Sequence, residues 1–300
     1  MILAADFETT VNPQHTDVWA WGLCPVADTE AFQYGTNIDS FIDYVERLAQ
    51  HELVTAYFHN LKFDGEFVIY WLLHNGFTHV EDSKELDTNT FTTLISDMGQ
   101  FYCIEICFGR RKKALKKVKL LDSLKLIPMP IVKIPKAFGL SIKKLEIDYE
   151  RVQAPDTELT EQEVMYLKND VQILAMGLDQ MFKSKLTRIT IGSNALAEYK
   201  ELEGKKNFNK YFPQIEHFDA DIRRSYKGGF TYCDPRFSGQ DIGGGIVLDV
   251  NSLYPSRMKY CPMPYGEPVY FDGRYKEDKM YPLYVQHLQC QFKIKPYHIP

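Results

Sequence analysis

Runs of apolar residues with two-residue and near-four-residue periods alternate through the first half of the chain. Residues 2–8 read as a buried strand that runs out into carboxylates. Val18–Val26 and Glu30–Tyr34 alternate like antiparallel strands. Ile38, Phe41, Ile42, Val45 and Leu48 have helical spacing, which predicts a helix over Ile38–Ala49. Leu53–Phe58 reads as a further strand. Leu61–His74 reads as an apolar helix closed by Asn75-Gly76. Strands are expected at Phe91–Ile95, Phe101–Phe108 and Val118–Leu121, before Pro128, Pro130 and Pro135 interrupt regular structure. Thr160-Glu-Gln-Glu163 fits a capping box and opens a helix to about Met181. Ser193–Tyr211 and Phe218–Ser225 are expected as helices, and Ile246–Asn251 as a strand. Strands followed by crossing helices predict an α/β domain over residues 1–185.

Composition narrows the classes. With 45% hydrophobic residues among 300, the chain can bury a real core. No apolar run reaches the ~18–20 residues of a membrane helix. The N-terminus lacks the basic flank of a signal peptide, so no membrane association is expected and a cytoplasmic location is. Six cysteines (24, 103, 107, 233, 261, 290) form no CxxC pair, which argues against zinc. Cys103 and Cys107 share one face of a strand and read as buried thiols. The net charge of −5 argues against binding nucleic acid by electrostatics alone. One stretch differs: Arg110–Lys119 holds seven cations in ten residues and reads as a hairpin tip. It fits either a solvated turn or a contact to phosphates or an acidic partner.

Three acidic motifs carry candidate chemistry. Asp6 and Glu8 point to one side of the first strand, with Phe7 on the other. Asn60 and Asp64 lie four apart at a helix start, flanked by Phe63 and Phe67. Tyr166 and Asp170 lie four apart within the capped helix, where Asp is a poor helix former. Each taken alone fits a bland role: a solvated strand end, a helix cap, an exposed i,i+4 pair. Together, D-x-E, then N-x-x-x-D, then Y-x-x-x-D, follow the order of proofreading exonuclease motifs. Four carboxylates without Cys or His suit Mg²⁺, which prefers hard oxygen ligands.

The chain resembles the protein-primed family B DNA polymerases of small tailed phages. Asp6-Phe-Glu-Thr9, Tyr57-Phe-His-Asn-Leu-Lys-Phe-Asp-Gly65 and Tyr166-Leu-Lys-Asn-Asp170 resemble the three exonuclease motifs, and Asp122-Ser-Leu124 is shared as well. The resemblance implies a ribonuclease-H-like 3′–5′ exonuclease domain followed by a partial palm. It implies Asp6, Glu8, Asp64 and Asp170 as ligands of two Mg²⁺ or Mn²⁺ ions, and Tyr166 as the residue orienting the attacking water. Lys144 aligns with a lysine that helps catalysis, with Lys143 as the alternative register. Thr9, His59, Asn60, Phe63, Ser123, Leu124 and Tyr149 match positions that hold single-stranded DNA. Phe67 matches a position near the primer terminus or its protein partner. For the apolar residues in this set, core packing is the rival reading.

Downstream, Asp249-Val-Asn-Ser-Leu-Tyr-Pro255 resembles motif A of the polymerase site. Asp249 and the Val250 carbonyl would hold catalytic metals, Ser252 and Leu253 would contact the nucleotide triphosphate, and Tyr254 would exclude a ribose. Tyr226-Lys-Gly-Gly229 resembles the Y-x-G-G loop joining exonuclease and polymerase parts; Tyr226, Gly228 and Gly229 would approach DNA. The fingers lysine motif and the second palm carboxylate motif are not found within the 300 residues, so the polymerase site is expected to be only begun here. That predicts either a truncated product or a second chain. Residues 186–260 would start the palm, and 261–300 would start the insertion that meets the priming protein. Expected partners are DNA (a single-stranded 3′ end and primer-template), dNTPs and a terminal protein. A stand-alone exonuclease is the alternative, disfavoured by the motif A match. A non-catalytic module binding DNA or terminal protein would not need all four acids.

Overall fold

A computed structural model describes residues 1–11, 16–112, 114–146, 153–226, 228–229, 231–291, 293 and 295. The chain divides after Glu198 into two compact units.

The first unit is built on one eight-stranded sheet. Its strands are β1 (Ile2–Thr9), β2 (Val18–Pro25), β3 (Gln33–Gly35), β4 (Val54–Phe58), β5 (Thr78–His79), β6 (Thr90–Ile95), β7 (Phe101–Arg111) and β8 (Ala114–Asp122). They lie in the order β3-β2-β1-β4-β8-β7-β6-β5. Central β1 pairs antiparallel with β2 and parallel with β4, and β4 pairs parallel with β8. The expected strand at Glu30–Tyr34 is shorter and later, because residues 33–35 alone find partners on β2.

Alternation along β1 decides where the chemistry sits. Leu3, Ala5 and Phe7 face a core with Val54, Ala56 and Phe58 of β4, capped by α1 (Ile38–Ala49) and α2 (Leu61–His74). Phe7, Phe41 and Phe58 meet there edge to face, with centroids 4.8 and 5.0 Å from Phe7. Ala4 faces the opposite layer, with Tyr57, Leu121 and the buried face of α4 (Glu161–Lys183), next to the short helix α3 (Ile134–Phe138). Asp6 and Glu8 share the parity of Ala4 and therefore point toward α4. The expected capping box is present: the Thr160 side chain accepts from the Glu163 N–H, and Glu163 reaches back to the Thr160 N–H. Gly22, opposite Asp6 on β2, lets α4 come close. A Cβ at Gly22 would lie 2.6 Å from Leu167 Cγ.

The basic stretch straddles a hairpin tip and runs on into both of its strands. β7 and β8 pair antiparallel out to Arg111 and Ala114, and Lys112 follows β7 at φ 58°. The strands use the other cations: Lys117 and Lys119 flank the buried Glu105 at 2.5 and 3.2 Å, and Arg110 pairs with Asp87 at 2.7 Å. Lys116 reaches Gln50 at 2.6 Å. On the same strand, Cys107 is buried and Cys103 half-buried.

The second unit contains the end of α5 (Ile191–Glu203), then α6 (Lys205–Tyr211), α7 (Asp219–Ser225) and α8 (Leu253–Tyr260). The single helix expected over Ser193–Tyr211 is broken at Gly204, whose φ of 76° leaves the right-handed region. The strand expected at Ile246–Asn251 does not form. No strand lies beside it among the described residues to complete its hydrogen bonds, and Val247 is 97% exposed. No helix among the described residues is long and apolar enough to cross a membrane.

Candidate functional site

Three carboxylates converge where β1 runs out beside α4. Oxygens of Asp6, Glu8 and Asp170 all lie within 4.8 Å of one another. Asp64 approaches from the first turn of α2, where the buried carboxylate accepts the Phe7 N–H at 3.3 Å. Asn60, its expected partner, is exposed. It occupies the N-cap position of α2 in the left-handed conformation, φ 81°, and its N–H donates to Asp122 at 3.1 Å.

The electrostatics require a counter-charge. Burial, followed by the charges of Asp64, Glu8 and Asp170, holds the Asp6 carboxyl well above the usual range. Burial and then Asp170 push Glu8 up to about 7. Burial pushes Asp64 up to about 7 against the pull of backbone N–H donors. Burial raises Asp170, opposed by Lys144 and by a hydrogen bond with Tyr166. Lys144 Nζ lies 2.5 Å from Asp170 Oδ2 and 5.1 Å from the Tyr166 ring centre. The carbonyl of Lys143, the other register, accepts from the Asn169 side chain. The second Asp170 oxygen, Oδ1, is buried without a hydrogen-bond partner among the described residues. An orphaned acceptor beside mutually repelling carboxylates fits a divalent cation with oxygen ligands.

These shifts have a measurable consequence. The folded site retains protons that the unfolded chain has released between about pH 4 and pH 7. Its stability contribution is full below the unfolded values and is lost as pH rises through about 7. Without metal, the melting temperature should therefore fall between pH 5 and pH 8 more steeply than in Asp6→Asn. Saturating Mg²⁺ should raise it more at pH 8 than at pH 5; at a hundredfold excess over Kd the bound metal stabilises the fold by ~2.7 kcal/mol. Calorimetry tests this; parallel pH slopes for both proteins and no Mg²⁺ response would refute it.

The expected DNA-holding residues divide. Thr9 is half-buried at the end of β1, and Leu124 is half-buried after β8. Phe63 is 47% exposed and stacks edge-on with the partly buried Phe67 at 5.6 Å. Phe67 packs on the core, so its rival reading describes part of its surface. Ser123 is fully buried: its hydroxyl lies 2.8 Å from the Phe58 carbonyl and 3.0 Å from His59 Nδ1. It therefore faces inward and holds His59, whose Nε2 lies 2.7 Å from the Met129 carbonyl. Burial lowers the His59 pKa. Tyr149 lies outside the described residues. Asp122, which the sequence offered only as part of a shared motif, ties two loops together. One oxygen accepts both the Asn60 and Leu124 N–H groups, at 3.1 and 3.0 Å.

In the second unit, Tyr226 is 86% exposed, and a Cβ at Gly229 would lie 3.1 Å from the Tyr254 hydroxyl. The Tyr226–Gly229 loop and the Asp249–Pro255 motif are thus neighbours, although Gly228 has open space around it. Asp249 and Val250 are exposed; Ser252 caps α8 at φ 52°, with Leu253 and Tyr254 in its first turn. Among the described residues, Asp249 joins no group of metal-binding side chains.

Known proteins resemble the chain over its whole length. A family described as "DNA polymerase type B, organellar and viral" matches residues 45–300. The DNA polymerase of Bacillus phage B103 is 43% identical over 300 residues, all of this chain and 51% of the relative. The DNA polymerase of Streptococcus phage Cp-1 is 28% identical over 99% of the chain and 52% of the relative. A solved structure of phi29 DNA polymerase with primer-template DNA and incoming nucleotides matches with a TM-score of 0.83 at 40% identity, covering 94% of this chain and 48% of that one. Another, with single-stranded DNA, matches with a TM-score of 0.81. The chain spans about half the length of the curated relatives it matches, 51% in the case of the B103 enzyme.

Proposed function

Because the chain belongs to the organellar and viral type B DNA polymerases, we propose that its first unit is a metal-dependent 3′–5′ proofreading exonuclease and its second the start of a polymerase palm. The convergence of Asp6, Glu8 and Asp170 around the unpartnered Asp170 Oδ1 carries this reading. The meander β3-β2-β1 continued by parallel β4 and β8, with helices on both faces, supports a ribonuclease-H-like domain over residues 1–185.

Asp6, Glu8, Asp64 and Asp170 would hold divalent cations, Mg²⁺ or Mn²⁺. A two-metal site supplies an activated hydroxide and stabilises the leaving oxygen of a phosphodiester. The chain's own residues do the rest. Tyr166, hydrogen-bonded with Asp170, orients the attacking water. Lys144, held against Asp170, places a positive charge where the phosphate's charge grows. His59, Asn60, Thr9, Leu124 and the exposed edge of Phe63 receive the frayed 3′ end. Ser123 acts through His59, and Phe67 sits behind Phe63.

Residues 186–260 would start the palm: there Asp249 and the Val250 carbonyl would bind metal, and Ser252, Leu253 and Tyr254 would bind the incoming dNTP. The Tyr226–Gly229 loop would meet DNA. Residues 261–300 would begin the region contacting a terminal protein. The solved relatives bound to primer-template, nucleotides and single-stranded DNA support DNA and dNTPs as partners.

A 5′-labelled single-stranded oligonucleotide tests the reading. The purified chain should produce a ladder shortened from the 3′ end in Mg²⁺ or Mn²⁺, and a chelator should stop it. Intact oligonucleotide with both metals would overturn the proposal, as would release of the label as a mononucleotide.

A further inference from the structure

Lys144 lies on an irregular segment, yet its Nζ is fixed 2.5 Å from Asp170. A flexible lysine side chain does not hold such a position unless its backbone is held too. The residue before Asp170 supplies that restraint. Asn169 is 7% exposed, and its side-chain amide straddles Lys144. Its Oδ1 accepts the Leu145 N–H at 3.0 Å, and its Nδ2 donates to the Lys143 carbonyl at 3.0 Å. Only this amide orientation satisfies both groups, because one backbone partner is a donor and the other an acceptor. The pairing imitates one rung of a strand ladder, made by a helix side chain. Consecutive residues of α4 thus grip the same lysine, Asn169 by its flanking peptide groups and Asp170 by its ammonium.

We propose that Asn169 is a positioning residue that sets Lys144 against Asp170 for phosphodiester cleavage; this rests on the exonuclease reading. A side chain that is polar and buried in a helix interior, with both ends committed to one neighbouring segment, has this placement as its consequence. The two hydrogen bonds of the Asn169 amide go to the peptide groups on either side of Lys144, so it acts through Lys144.

Asn169→Ala, Lys144→Ala and the double variant test the proposal in single-turnover degradation of labelled single-stranded DNA, with metal saturating. Lys144→Ala should lower the rate constant by about 100–1,000-fold, the range of one lost electrostatic group. Asn169→Ala should fall within about threefold of it, with little change in the DNA concentration for half-maximal rate. The double variant should equal Lys144→Ala, because the two residues act as one unit. A wild-type rate in Asn169→Ala, or losses that multiply in the double variant, would overturn the proposal. A second arm does not depend on activity. Acylation of Lys144 by an amine-reactive reagent, read by peptide mass spectrometry, should rise several-fold in Asn169→Ala and in Asn169→Ser. Unchanged labelling in both variants, with melting temperatures near wild type, would also overturn it. If the wild-type chain fails to degrade DNA, the exonuclease reading falls, while the labelling arm still decides whether Asn169 places Lys144.

Discussion

A chain carrying Asp6→Ala together with Asp64→Ala should lose metal-dependent trimming of single-stranded DNA by about a thousandfold or more. The two carboxylates come from different elements, the end of β1 and the first turn of α2, so no single local rearrangement restores both. With both gone, the remaining cluster is Glu8 and Asp170, and Asp170 is already paired with Lys144. Divalent affinity, measured by titration calorimetry with Mn²⁺, should collapse in parallel. The fold should persist, because opposing terms offset each other. Removing Asp6 relieves the repulsion that raises its neighbours, whereas removing Asp64 takes the acceptor from the buried Phe7 N–H, which costs ~1–3 kcal/mol. Undiminished trimming by a well-folded double variant would sink the assignment of these carboxylates.

Phe58→Ala should lower the stability of the first unit by about 3–5 kcal/mol, the usual cost of emptying a buried phenyl site. Phe58 is wholly buried and meets both Phe7 and Phe41 edge to face. For a unit of this size each kcal/mol shifts the melting temperature by ~2–4 °C, so a drop of about 10 °C is expected. The matching control is Phe63→Ala, whose ring is 47% exposed and should cost within about 0.5 kcal/mol. Under the proposed reading its effect is on DNA binding. Denaturant titration separates the two; equal losses of stability in both variants would contradict the division between core phenyl and exposed phenyl.

Much of the first unit was legible in the chain. The helix at Ile38–Ala49 has the bounds that its apolar spacing predicts, because one face of a surface helix must be apolar to be buried. The Thr160–Glu163 box marks the start of α4, because capping is local chemistry. Context was less legible. The cations of Arg110–Lys119 surround the expected tip, but a sequence does not show that Glu105 and Asp87 lie beside them. Ile246–Asn251 has strand residues but no neighbouring strand among those described, and a strand is defined by its partners.

The candidate site shows the same division. The sequence by itself determined which residue types were present, their order, and which side of β1 Asp6 and Glu8 occupy, since alternation is a property of a single strand. Only the tertiary structure decided that Asp170 arrives within 4.8 Å of them, that Lys144 rather than Lys143 reaches it, and that Ser123 faces inward. It also decided that Asn169 and Asp122 serve as clamps. The reason is physical. Periodicity and capping arise from bonds and contacts within a few residues, and are written locally. Convergence of β1, α2 and α4, and the burial that raises their carboxyl pKa values, exist only once the sheet and its helices have packed.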